Sequence, residues 1–99
     1  MNARLPNATI SRLKGLAQRL DPVLALGKAG ATESFIKSLA DALAQHELVK
    51  IKFAAFKDER KKIAPQLAEK TDSQLIWIVG HVAVLYRQQP DPAKRRIIT

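Results

Sequence analysis

Val23-Leu24-Ala25-Leu26-Gly27-Lys28-Ala29-Gly30-Ala31-Thr32 packs three different signals into ten residues. Asp21-Pro22 bounds it upstream, and the residue before a proline avoids the helical region. The apolar run 23–26 therefore begins a new element, with the length of a short buried strand. Gly27 to Gly30 follows as a tight loop. Thr32 is placed to cap a helix reaching about residue 46, because its hydroxyl accepts a first-turn amide. Phe35, Ile36, Leu39 and Leu43 give that helix its core stripe. Strand, glycine loop and helix in this order open a parallel β-α-β unit. The junction lies at the carboxyl end of the strands, where ligands commonly bind.

Working outward, residues 48–53 alternate: Val49, Ile51 and Phe53 point one way, Lys50 and Lys52 the other. A charged loop over 57–62 leads into a third helix ending near Thr71, with Ile63, Leu67 and Thr71 four apart. Pro65 fits such a helix only in its first turn. Residues 74–79 and 82–86 are two strands, joined by Gly80-His81 in the manner of a type II′ hairpin. Upstream, residues 9–20 place Ile10, Leu13, Leu16, Ala17 and Leu20 on one helical face, with Arg12 and Arg19 on another. The expected fold is two-layer α+β, in the order α-β-α-β-α-β-β, with a four-stranded mixed sheet. Right-handed crossovers put the second and third helices on one face. The strand order is then first, second, fourth, third, with the fourth antiparallel to the others. The first helix covers only part of the opposite face, because Lys50 and Lys52 need that face open. Residues 1–8 read as a tail, 9–87 as one domain and 88–99 as a basic tail.

Ninety-nine residues suffice for one domain. Lys and Arg number 17 against 9 Asp and Glu, a formal net charge of +8. The excess is clustered. Residues 1–20 hold four cations and no carboxylate, 48–62 hold six against two, and 87–99 hold four against one. Clustered cations of this kind suit a polyanionic partner, and nucleic acid is the first expectation. With no cysteine there is no disulfide and no thiolate metal site. No run approaches the ~20 apolar residues of a membrane span, and the first residues lack the apolar centre of a signal peptide. A cytoplasmic monomer without membrane association is the expectation.

Catalysis finds little support. His46 and His81 are the only histidines, one at a helix end and one in a turn, and neither has a positioned partner in the sequence. Asp58-Glu59 sits among cations as charge balance. Neither a metal nor a cofactor is expected. Gly27-Lys28-Ala29-Gly30 lacks the third glycine of a dinucleotide-binding fingerprint and the Gly-Lys-Ser/Thr of a P-loop. Its position does suit a phosphodiester backbone: glycines permit close approach, Lys28 adds a cation, and the helix end offers amides. Loops of this form clamp nucleic acid in KH domains. Among the aromatics, Trp77 reads as core, and Tyr86 lies at a strand end beside Arg87. DNA binding and a protein-interaction module are the competing readings.

The stretch from Leu13 to Tyr86 resembles the YhbY-like CRM domain, named for chloroplast RNA splicing and ribosome maturation. The matching pieces are Leu13-Lys14-Gly15-Leu16-Ala17, Pro22-Val23 with Leu26-Gly27, and His46-Glu47-Leu48-Val49-Lys50-Ile51-Lys52. Val79-Gly80 and Val84-Leu85-Tyr86-Arg87 complete the set. The resemblance implies a fold like the C-terminal domain of translation initiation factor 3 with an added N-terminal helix. It also implies RNA binding, with ribosomal RNA or a large-subunit precursor as partner. The expected contacts are Gly27, Lys28, Ala29 and Gly30, with Arg12, Lys14, Lys50, Lys52 and Arg87 around them. The run Lys94-Arg95-Arg96 lies outside the matched pattern.

Overall fold

The computed structural model describes residues 5–95. Its elements are α1 (Asn7–Ala17), β1 (Leu24–Leu26), α2 (Glu33–His46), β2 (Leu48–Phe53), α3 (Arg60–Lys70), β3 (Gln74–Val79) and β4 (Val82–Tyr86). Short 3₁₀ turns occupy Lys57–Glu59 and Pro92–Lys94. The sheet order is β1-β2-β4-β3. β1 runs parallel to β2, and β4 runs antiparallel to both β2 and β3. Class, order and topology agree with the sequence reading.

Strand alternation divides the apolar residues between two clusters. Leu26, Val49, Ile51, Phe53, Ala83 and Leu85 face α2 and α3, meeting Leu39, Leu43, Ala64 and Leu67. Leu48, Val84 and Tyr86 face the other way, onto Leu13 and Ala17 of α1. The sheet and its two crossover helices form the main two layers, and α1 partly covers the second face. β3 serves both clusters through an irregularity between Leu75 and Trp77. Leu75 and Ile78 pack on the larger cluster, Ile76 and Trp77 on the smaller. One extra residue in a strand turns the following side chains over. Gly80 supplies the positive φ (+56°) of the hairpin turn.

The boundaries depart from the periodicity in instructive places. α1 begins at Asn7, within the expected tail, and Leu5 packs against the Leu13 cluster. It ends at Ala17 rather than near residue 20. There the amides of Arg19 and Leu20 reach back three residues, to Leu16 and Ala17, and tighten the last turn. Pro65 lies inside α3, beyond the first turn where the sequence reading confines it. It is exposed, while its neighbours Ala64, Leu67 and Ala68 are buried. The helix is therefore held by its packed face, and the lost amide lies on the solvent side. Residues 88–95 are not a free tail. The Gln89 amide donates to the buried Glu47 carboxylate at 2.9 Å, and Arg95 Nε donates to the Gln89 carbonyl at 2.8 Å. Arg96 lies outside the described residues.

Candidate nucleic-acid interface

The loop after β1 is a turn closed by the Gly30 amide donating to the Gly27 carbonyl at 3.0 Å. The Thr32 hydroxyl then caps α2, accepting the Phe35 amide at 3.1 Å, as the sequence predicts. Gly27, Lys28 and Ala29 are exposed. Among the described residues the Lys28 and Ala29 amides have no hydrogen-bond partner. The two glycines serve different ends. Gly30 has φ +75°, which glycine adopts without steric penalty, so the turn itself requires it. Gly27 has no positive φ, and a Cβ built on it meets nothing within 4 Å. Turn geometry therefore does not require a glycine at 27. Its lack of a side chain leaves the face of the turn open to close approach.

Beside the loop, part of the sheet is uncovered. A helix is roughly 10 Å across and strands lie roughly 4.8 Å apart, so α1 alone does not span four strands. It lies against β2 and β3 and buries Val84, between them, completely. The next row toward the loop is Ala25, Lys52, Val82 and Val79, paired in that order across the sheet. Ala25, Lys52 and Val79 are exposed and Val82 half-buried. This is the open area that outward-pointing lysines on a central strand require. It ends, along β1, two residues before Gly27.

The remaining predicted contacts separate into groups. Lys52 is exposed on the open row. Lys50, on the same face, donates from Nζ to the Leu20 carbonyl at 2.8 Å and ties β2 to the chain after α1. Leu16, Leu20, Val23 and Leu48 line a groove there with Arg19, His46 and Lys50. Lys14 places its ammonium 5.3 Å from the Trp77 ring centre, a cation–π contact. Arg12 is exposed on α1. Arg87 stands apart. Its guanidinium donates to the Thr71 carbonyl at 2.9 Å and the Ala40 carbonyl at 3.1 Å, at the α2 and α3 side of the sheet. The strand alternates, so the residue after the α1-facing Tyr86 points the opposite way.

Tyr86 is 3% exposed and belongs to the core beneath α1. Trp77 is half-buried against the same cluster. The aromatic that the sequence reading gives no role is Phe56. It is 40% exposed, has a left-handed backbone (φ 55°, ψ 36°), and its ring lies 3.5 Å from where a Gly30 Cβ would stand. No periodic pattern marks it, because it lies between elements. No group of three or more His, Cys, Asp or Glu suited to a metal ion occurs among the described residues.

Residues 5–87 match the CRS1/YhbY (CRM) domain model. A Haemophilus influenzae protein named as an RNA-binding protein is 41% identical over 76 residues, covering 76% of this chain and 77% of that one. A Pseudomonas aeruginosa protein named as a probable RNA-binding protein is 36% identical over 84 residues, covering 84% of this chain and 81% of that one. The solution structure of a Staphylococcus aureus protein, described as a candidate RNA-binding protein, superposes with a TM-score of 0.77 at 31% identity. It covers 96% of this chain and 100% of its own. The glycine turn between β1 and α2, the strand order and the match over most of its length lead to one assignment: this chain belongs to the CRS1/YhbY (CRM) domain family.

Proposed function

We propose that this chain binds RNA without catalysing a reaction on it. The Gly27–Gly30 turn receives the sugar-phosphate backbone, and Lys28 and Lys52 neutralise phosphates beside it. The observation that carries this reading is the exposed turn with two unpartnered amides, next to an uncovered row of sheet that carries Lys52. Exposed amides and mobile ammonium groups bind phosphate oxygens without reading bases. The relatives named as RNA-binding proteins support the same choice of partner. Arg12 and Lys14 extend the cationic area along α1. Lys50 contributes charge while holding the chain after α1. Arg87 is assigned to the scaffold instead. The target we propose is ribosomal RNA, in a precursor of the large subunit in the cytoplasm, the class of partner the family resemblance implies.

Gly27→Asp is the clean test. A side chain at 27 meets open space, so the variant should unfold at the temperature of the unsubstituted protein. Its carboxylate would face phosphate, and filter binding should show RNA affinity reduced by about tenfold or more, as expected for an unfavourable charge at a phosphate site. Unchanged affinity would remove the loop from the interface. Gly30→Asp is a poorer probe, because φ +75° strains the new residue. Crosslinking in cell extract, followed by sequencing of the attached nucleic acid, tests the target. Enrichment of large-subunit precursor RNA supports the assignment, and recovery of chromosomal DNA overturns it.

A further inference from the structure

We infer that Phe56 stacks on a nucleobase of single-stranded RNA whose phosphate lies at the Gly27–Gly30 turn. The inference rests on the function proposed above and adds a base contact to a site so far described through the backbone alone.

Three observations carry it. The first is placement. The Ala54 and Ala55 amides both donate to the Leu26 carbonyl at 3.0 Å, fixing the chain before Phe56 to the strand end from which the glycine turn springs. The Phe56 ring rests against Gly30 with 40% of the residue exposed. The second is conformation. Phe56 holds φ 55°, a region that bulky residues rarely occupy. Glycine or asparagine would make the same bend with less strain, so the turn does not explain an aromatic here. The third is contrast. Phe53 is fully buried, and Phe35 packs on the main cluster. Phe56 belongs to neither apolar cluster, so core packing does not account for the ring there. Strained residues held outward are frequent at ligand clamps.

The chemistry follows from connectivity. A base is joined to its phosphate through one ribose, so a backbone seated on the turn brings a base to its flank. An exposed ring there offers a π face, which every base accepts and purines cover more fully. Lys57 follows immediately and is exposed, placing a cation beside the stacked nucleotide.

The experiment compares the unsubstituted protein, Phe56→Leu, Phe56→Trp and Gly27→Asp. Each is titrated with short oligoadenylate, short oligouridylate and inorganic polyphosphate, and thermal unfolding is followed in parallel. Phe56→Leu should weaken oligoadenylate binding about tenfold, oligouridylate binding less and polyphosphate binding not at all. Phe56→Trp should keep its RNA affinity. In a Trp77→Phe background its fluorescence should be quenched by oligoadenylate. Full affinity of Phe56→Leu for oligoadenylate, with Gly27→Asp impaired, would overturn stacking and leave the loop reading intact. Equal losses of RNA and polyphosphate binding by Phe56→Leu would show that the ring only props the turn, and would also overturn it. If neither variant loses affinity, the loop reading falls and stacking falls with it.

Discussion

Arg87 and Lys52 are both cations on sheet strands or at their ends, and composition treats them alike. The structure does not. Lys52 is exposed on the open row, while Arg87 gives two donors to main-chain carbonyls of Ala40 and Thr71. Removing this part-buried, charge-assisted pair of bonds leaves the Thr71 carbonyl wanting a donor, while the Ala40 carbonyl keeps its place in the α2 ladder. Arg87→Ala should therefore lower stability by about 1–3 kcal/mol in urea unfolding, with RNA affinity changed by less than a factor of three at a temperature where the variant is folded. A large affinity loss in a stably folded variant would return Arg87 to the interface. The glycines divide in the same manner: Gly30 is required by its φ, whereas neither a positive φ nor a close neighbour requires glycine at 27. Their positions were legible as a motif, because spacing is written in the chain. Their separate duties were not, because a dihedral angle and an empty neighbourhood exist only after folding.

Among the elements, α3 shows how far packing overrides local propensity. Pro65 removes the amide that would reach the Lys61 carbonyl, yet the helix continues from Arg60 to Lys70. Ala64, Leu67 and Ala68 are buried on the sheet side, and the proline ring is on the exposed side. Pro65→Ala should raise stability by about 1–2 kcal/mol, the restored helix bond being partly offset by the greater freedom of the unfolded chain. Chemical denaturation checks this, and an unchanged midpoint would mean that the helix has already absorbed the defect. Rules for single residues place such a proline in a first turn, because they do not see the face that holds the helix down. α1 makes the complementary point. Its stripe predicted a helix over residues 9–20, but the helix runs from Asn7 to Ala17 with Leu5 packed on the same cluster ahead of it, and the chain after it closes over three residues instead of four.

At the scale of the whole molecule, the +8 charge is a property of the chain, whereas its usefulness depends on where the fold exposes it. If about five phosphates are neutralised on single-stranded RNA, log K should fall with log salt at a slope of about −3 to −4. Titrations at several salt concentrations measure it, and a flat dependence would exclude phosphate neutralisation as the source of affinity. The element order, the mixed sheet, the side of the crossover helices and the position of the glycine turn were all legible in the residues alone. Each follows from a local period, a turn dipeptide or the fixed hand of a crossover, all of which act over a few neighbouring residues or one connection. It took the folded arrangement to leave a row of sheet open beside α1, to turn Arg87 toward the Ala40 and Thr71 carbonyls and to set Phe56 beside the turn. Those outcomes depend on the width of one helix against four strands and on contacts between residues far apart in sequence, such as Phe56 with Gly30 and Arg87 with Ala40, which no local pattern encodes.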